Sequence, residues 1–250
     1  MIIFDEKRHA EEILKKGFKT KNKTVFETFI LAKYYFHIGI DESKVKQKII
    51  KFYEKFQEDF NLDEYYKVIN RTINYARNSK LKTDKEVQIT QTELEVIQSL
   101  DNLREQKLAF VMLVLYKFHN FNKYTISLEN LFTLSDLTTI NSKTRLQLLH
   151  KLTSKGFIDI NTRGQRWVKF AEKKSNQIVL IRNFDNFIWE YLNYIGEGKF
   201  KRCEECNVLI KKSTNHKNLY CHNCSKIKQR EWDKKYKDGK KRVLLKSSNH

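Results

Sequence analysis

The sequence contains no proline, and only seven of its 250 residues are glycine. With so few breakers, little stands in the way of long helices. Proline-rich linkers are also excluded, so domain boundaries have to be sought in polar runs. Long apolar runs are missing. The longest, Leu108 to Tyr116, falls far short of a bilayer span. The first fifteen residues carry Asp5, Glu6, Lys7, Arg8 and Lys15 without a long apolar core, so no secretory leader is expected. A soluble, cytoplasmic protein follows as the expectation, with no membrane partner.

Catalytic signatures are missing as well. There is no G-x-x-x-x-G-K-S/T loop, no G-x-G-x-x-G, no G-x-S-x-G and no H-E-x-x-H. The H-x-E of zinc deaminases does not accompany the cysteines. The seven histidines (His9, His37, His119, His150, His216, His222 and His250) are scattered. Asn215-His216 lies where His-Asn-His nucleases place a catalytic histidine, but the acidic or second histidine partners are missing. No enzyme is expected.

Cysteine is absent from the first 202 residues. All four then fall together, as Cys203-Glu204-Glu205-Cys206 and Cys221-His222-Asn223-Cys224, with fourteen residues between the pairs. Each C-x-x-C can sit on a tight turn with both thiolates facing one ion, and two such pairs complete a tetrahedral shell. Zinc suits four soft sulfur ligands. Two disulfides are the alternative, but a chain of this size with ordinary core residues and no leader does not need them. His216 or His222 could each replace a thiolate, although four cysteines already fill the shell. A closed site of this kind serves folding, so one structural Zn2+ is expected.

Positive charge is abundant. Lys and Arg number 49 against 30 acids, for a net charge of +19 and a pI near 9.6. A composition rich in Lys, Asn and Ile also fits an AT-rich genome, but the distribution points further. Residues 199–250 hold sixteen Lys/Arg and five Asp/Glu, so +11 of the +19 sits in one small module. Charge gathered in this way is the footprint of a polyanionic partner, usually nucleic acid. Within it, Lys226, Lys228, Arg230, Lys234 and Lys235 lie on a helix-like stretch with Trp232 and Tyr236 at i, i+4. Such a helix can grip phosphates without reading sequence.

Along the chain, residues 1–80 read as about four helices. The first runs from Glu6 to Lys16, with Ile13 and Leu14 buried and Gly17 as its stop. The second, Lys23 to Ile38, carries Phe26, Phe29, Ile30 and Tyr34. The third starts at Asp41 and buries Val45, Ile49, Phe52, Tyr53 and Phe56. The fourth starts at Asn61 and buries Tyr66, Ile69, Ile73 and Ala76. Lys80 to Glu86 reads as a linker. Val87 to Ile89 is a short extended piece, and Thr90 to Asn102 a helix begun by a Thr90–Glu93 capping box. Leu108 to Phe118 is nearly all apolar and reads as a deeply buried helix. A short helix follows at Ser127 to Phe132, with a second possible start at Ser135-Asp136. An amphipathic helix from Asn141 to Leu152 then buries Leu146, Leu149 and Leu152 and ends at Lys155-Gly156. Phe157 to Ile160 and Arg166 to Phe170 form a hairpin. Gln177 to Ile181 reads as a third wing strand, and Phe184 to Tyr194 as a helix. Leu209-Ile210 and Leu219-Tyr220 flank the cysteine turns as a hairpin.

Helix, helix, helix and two-stranded wing, over Leu103 to Phe170, resembles the winged helix–turn–helix family. That resemblance implies a third helix entering the major groove and a wing touching the backbone. By position, Asn141, Ser142, Lys143, Thr144 and Gln147 would face DNA, with Arg163 and Arg166 on the wing. The same family also supplies protein–protein modules. Residues 201–237, with their C-x-x-C, Tyr-Cys-x-x-Cys and basic helix, resemble zinc-ribbon or treble-clef tails of uncharacterised phage and mobile-element proteins of low-GC Gram-positive bacteria. The spacing of Leu31 to Ile73 resembles small helical modules of phage and plasmid primases and helicases.

The expected architecture is therefore mainly α with small β. It comprises an N-terminal helical bundle (1–80), a central winged-helix domain with flanking helices (87–195), a C-terminal zinc ribbon (199–237) and a basic, disordered tail (238–250). The expected function is non-enzymatic binding of double-stranded DNA, in replication or transcription control of a phage or mobile element in a bacterial cytoplasm. The N-terminal bundle would take any protein partner. Two alternatives stay open: a protein-binding factor acting on a host enzyme or defence complex, and an RNA binder using the zinc module.

Overall fold

Helices dominate, as a proline-free chain allows. The computed structural model describes residues 3–19, 24–83, 85–173, 176–212 and 219–247, and for 177 and 237–247 the backbone alone. The chain divides into two compact units, residues 1–86 and 87–250. Among the described residues no helix is long and apolar enough to cross a membrane.

The first unit holds α1 (Glu6–Lys16), α2 (Thr24–His37), α3 (Glu42–Phe56) and α4 (Leu62–Arg77). Local chemistry sets their ends. Asp5 accepts the Arg8 N–H at 2.9 Å, and Asn61 accepts that of Asp63 at 3.1 Å. Both satisfy amides that a helix start leaves orphaned. The core comprises Ile13, Ile30, Leu31, Val45, Ile49, Phe52, Tyr53, Ile69, Ile73 and Ala76, as helical spacing predicts. Phe26 and Tyr66 do not join it, each being 46% exposed. Tyr66 instead lies under the Lys46 ammonium, 3.9 Å from its ring centroid. The stretch read as a linker is stitched to α1. The Glu6 N–H donates to the Lys82 carbonyl at 2.9 Å, and the Lys82 N–H donates back to the Glu6 carboxylate at 2.8 Å. That carboxylate also pairs with buried Lys33.

Gly17 ends α1 at φ +84°, and a Cβ there would meet the Phe56 ring at 2.8 Å. Gly17→Ala therefore combines backbone strain with overpacking, at about 2–4 kcal/mol. All three tryptophans lie beyond residue 86, so their fluorescence does not report on this unit. The expected result is faster amide exchange across residues 6–77, read by mass spectrometry. Unchanged exchange would contradict the close contact with Phe56.

The second unit is built on α6 (Leu103–Phe118). All residues from Leu108 to Leu115 are buried on it. Before it come β1 (Val87–Thr90) and α5 (Gln91–Gln98), and after it α7 (Leu128–Leu134), α8 (Ser142–Ser154), β2 (Ile158–Ile160) and β3 (Arg166–Val168). The capping box forms as spaced: Thr90 Oγ1 accepts the Glu93 N–H at 3.2 Å, and Glu93 Oε2 accepts that of Thr90 at 2.9 Å. Ser135-Asp136 closes α7 and starts nothing. Asp136 takes φ +53°, and the Leu137 N–H returns to the Phe132 carbonyl at 2.9 Å. Gly156, at φ +77°, ends α8 in the same way. β2 and β3 pair antiparallel, with Asp159 opposite Trp167. Tyr124 adds a single bridge on the free edge of β3 at Arg166.

The strand β4 (Gln177–Ile181) corrects one expectation, because it pairs antiparallel with β1 and not with the hairpin. That register sets Val87 opposite Ile181 and Ile89 opposite Val179, and all four are buried. Two apolar faces of period two thus match, an alternation the hairpin edge, already bridged by Tyr124, does not offer. Beyond it lie α9 (Ile188–Tyr194), β5 (Phe200–Arg202), β6 (Leu209–Lys211) and α10 (His222–Ser247). The backbone of α10 continues through 238–247, where a disordered tail was expected.

Candidate functional site

The four cysteines meet in one cluster, their Sγ atoms all within 4.8 Å of one another. Two local devices put them there. β5 and β6 pair antiparallel, and Cys203 to Asn207 make the turn between them. The Cys203 N–H donates to the Val208 carbonyl at 2.8 Å, and the Asn207 N–H donates to the Cys203 carbonyl at 2.9 Å. Asn207 sits at φ +58°, the left-handed conformation that asparagine tolerates. The second pair lies at the start of α10. Cys221 precedes the helix, Cys224 is in its first turn, and the Cys224 N–H points at Cys221 Sγ at 3.5 Å. Ser225 is helical and needs no left-handed turn. Leu219 is not in a strand, although its carbonyl accepts the Glu204 N–H at 3.2 Å. His216 lies outside the described residues. His222 is exposed and is not in the sulfur cluster.

The donor set fits a structural metal. The cysteines are free, and Cys206 Sγ to Cys221 Sγ is 3.6 Å, too long for a disulfide. Tetrahedral zinc–sulfur bonds of about 2.3 Å imply sulfur–sulfur edges near ~3.8 Å, so only small shifts separate this cluster from a closed zinc shell. Cys203 and Cys224 are buried. Burial works against the Cys203 thiolate, but N–H groups of Cys206, Cys221 and Glu205 outweigh it and bring its pKa down to about 6. Burial pushes the Cys206 thiol up. Hydrogen bonding with Cys206, and then burial, push Cys224 up. Cys203 favours the anion while Cys206 and Cys224 resist it, and a dication at the centre would remove that conflict. Cys203, Cys206, Cys221 and Cys224 would hold the ion, which would supply cross-linking and no chemistry.

No protein-family profile, characterised protein or solved structure matches this chain. The residues themselves must carry the functional reading.

The cysteine module is anchored to α9. Arg202 makes a two-pronged ion pair with Glu190, at 3.0 and 3.2 Å, and donates to the Asn207 carbonyl at 3.0 Å. Trp189 packs against Phe200, ring centroids 5.8 Å apart. A cleft of about 780 Å³ runs between β4–α9 and the module, with Arg182, Tyr194, Lys211 and Tyr220 among its walls. The Arg202–Glu190 tie escaped the sequence reading, because two charges twelve positions apart form no periodic signal.

On α8, Asn141 caps the helix, accepting the Thr144 N–H at 2.9 Å. Ser142, Lys143 and Gln147 are exposed, and Thr144 is half-buried. Lys143, Leu146, Gln147 and His150 fall at i, i+3, i+4, i+7 and form one exposed stripe. Leu146 was expected in the core but is 56% exposed; Leu148 is buried instead, with Leu149 and Leu152. Arg145 is turned inward, donating to the carbonyls of Ile140 at 2.8 Å and Thr138 at 3.0 Å. Lys151 and Lys155 are paired with Asp101 and Glu105.

On the hairpin, Arg163 is exposed in the turn, where Asn161 Oδ1 accepts its N–H at 3.1 Å. Arg166 is a correction. It is 7% exposed, its backbone is bonded on both sides to Tyr124, and its guanidinium donates to the Ile126 carbonyl at 2.6 Å. Tyr124 closes over the β3 edge and converts an expected surface cation into a core tie. On α10, Lys226, Arg230, Lys234 and Lys235 are exposed. Lys228 is half-buried, pairs with Glu205 at 2.9 Å, and that hydrogen bond holds its ammonium above the usual lysine range.

Proposed function

We propose that the protein binds double-stranded DNA and acts by binding, without catalysis. The observation that carries this reading is the exposed polar stripe of α8, set in the same unit as an exposed turn arginine and a strongly basic helix. The order α6, Tyr124 bridge, α7, α8, β2, β3 supports a winged-helix reading. In such a domain Lys143 and Gln147 are placed to meet base edges, and Arg163 to meet the backbone. The cysteine module, with ligands from a hairpin turn and from a helix start, follows the treble-clef pattern and holds one zinc. Lys226, Arg230 and Lys234 recur every four residues and line one side of α10, where they grip phosphates. Because α8 offers few unpaired cations, α10 supplies affinity and α8 supplies discrimination. A role in replication or transcription control of a phage or mobile element suits such a binder.

Selection of zinc-loaded protein on a random duplex library, at about 0.15 M salt, tests this. An enriched motif is expected. Lys143→Ala with Gln147→Ala should flatten the motif. Neutralising Lys226, Arg230 and Lys234 should weaken all sequences alike and lower the salt slope by about one unit per lost contact. No recovery of DNA would sink the proposal. Exposed Leu146 favours a second reading, a protein-docking face on α8, which gains if duplexes are not recovered and Leu146→Asp abolishes a partner's binding.

A further inference from the structure

Trp232 and Tyr236 are the anomaly of α10. Each is large, aromatic and more than half exposed, at 61% and 53%. Their rings lie nearly parallel, 12° apart in plane with centroids at 5.7 Å. Two flat rings stacked on one face of a basic helix, each more than half exposed, offer aromatic surface to a ligand.

The surroundings select an occupant. At about 100° per residue, the two rings sit ~40° apart on the helix, and Ile227 lies at least ~140° from them. Among the described side chains of α10, the exposed apolar groups therefore do not gather into the single broad face that an interfacial membrane helix needs. Lys235 lies ~60° from Trp232 and is exposed. Gln229 and Asp233, bonded to each other at 3.0 Å, border the opposite flank. A flat π-surface with a cation beside it and polar groups around it matches a nucleotide, whose base stacks while its phosphate meets the lysine. The Lys226–Arg230–Lys234 stripe is centred ~140° away, so the rings are separate from the side of α10 assigned to duplex phosphates. In a duplex the base faces are covered by their neighbours, so only unpaired bases can stack here.

We infer that Trp232 and Tyr236 form a stacking platform for unpaired bases, so that the protein binds single-stranded nucleic acid, or the single-stranded arm of a junction, through α10. This rests on the nucleic-acid reading above and narrows its substrate.

The test uses the full-length, zinc-loaded protein and three fluorescein-labelled probes followed by anisotropy: oligo-dT of twenty nucleotides, a twenty-base-pair duplex, and that duplex with a dT overhang. Wild type is compared with Trp232→Ala/Tyr236→Ala and with Trp232→Phe/Tyr236→Phe, after circular dichroism and zinc content have been matched. The alanine pair should weaken oligo-dT binding about 10- to 100-fold and remove the gain from the overhang, while duplex affinity changes less than about threefold. The phenylalanine pair should keep most of the oligo-dT affinity. Equal losses on all probes, or no loss on oligo-dT, would overturn the platform while leaving duplex binding standing. Absence of binding to every probe would overturn the nucleic-acid reading itself. Anionic phosphatidylserine vesicles form a further arm, in which a loss confined to vesicles would assign the rings to a membrane surface and overturn the inference.

Discussion

Chelating the metal, or replacing Cys203 with serine, is expected to unfold residues 199–236 and melt α10, with loss of far-UV helical signal. The apolar residues that β5 and β6 bury (Phe200, Leu209 and Ile210) form too small a core to hold a module of this size. α10 has little to fall back on. Thirteen of its fifteen described side chains are exposed, and a helix is marginal in water without a packed face. A metal held by the four cysteines would then supply most of the folding free energy, on the scale of ~10–16 kcal/mol seen for structural zinc in small peptides. Removing one thiolate leaves three ligands and a gap at Cys203, the most buried of the four. Elemental analysis should give one zinc per chain in the wild type and well under one in the variant. Acidification should release the metal, because protons compete for the thiolates. Unchanged circular dichroism after chelation would mean that the hairpin and α10 stand on packing alone.

Both pillars of that prediction were legible in the sequence to different depths. The cysteine spacing named all four candidate ligands. It did not show that Asn207 takes the left-handed turn while Ser225 needs none, since that depends on one pair ending a hairpin and the other starting a helix. Helix starts were readable at Asn61, Thr90 and Asn141, where a side chain caps locally, but not at Asn102, which caps α6 ahead of the apolar run at Leu108. Buried faces were readable where a 3.6-residue period persists, as from Val45 to Phe56. The misses share one cause: periodicity places a residue on a face without saying what covers that face. Leu146 lies in an apolar pattern, yet it is 56% exposed on α8. Arg166 lies on a strand edge, and Tyr124, forty-two positions earlier, closes over it. Gln177 to Ile181 was correctly a strand, but its partner was Val87 to Thr90, nearly a hundred residues back. Nonlocal pairing of this kind leaves no local mark.

Glu93→Ala is expected to be the most damaging single change in the core of the second unit. The Glu93 side chain is fully buried. Its Oε2 accepts the Thr90 N–H at 2.9 Å and the Lys117 ammonium at 2.6 Å, and its Oε1 accepts the Glu172 N–H at 2.7 Å. One carboxylate thus holds the start of α5, the end of α6 and the chain leading into β4. Alanine would strand two amides and leave Lys117, itself only 7% exposed, with the Gln88 carbonyl as its remaining hydrogen-bond acceptor. Breaking a buried pair from one side costs about 3–5 kcal/mol. Most of that is the penalty of the abandoned charge, which a second substitution can separate. Glu93→Leu together with Lys117→Met removes both charges at similar volume, and should recover about half the loss or more. The remainder measures the amide bonds at Thr90 and Glu172, which leucine cannot make. Urea unfolding followed by tryptophan fluorescence reports on this unit, because Trp167, Trp189 and Trp232 all lie in it. A double variant no more stable than Glu93→Ala would place the cost in the amides, and Glu93 would then act as a cap whose lysine is incidental.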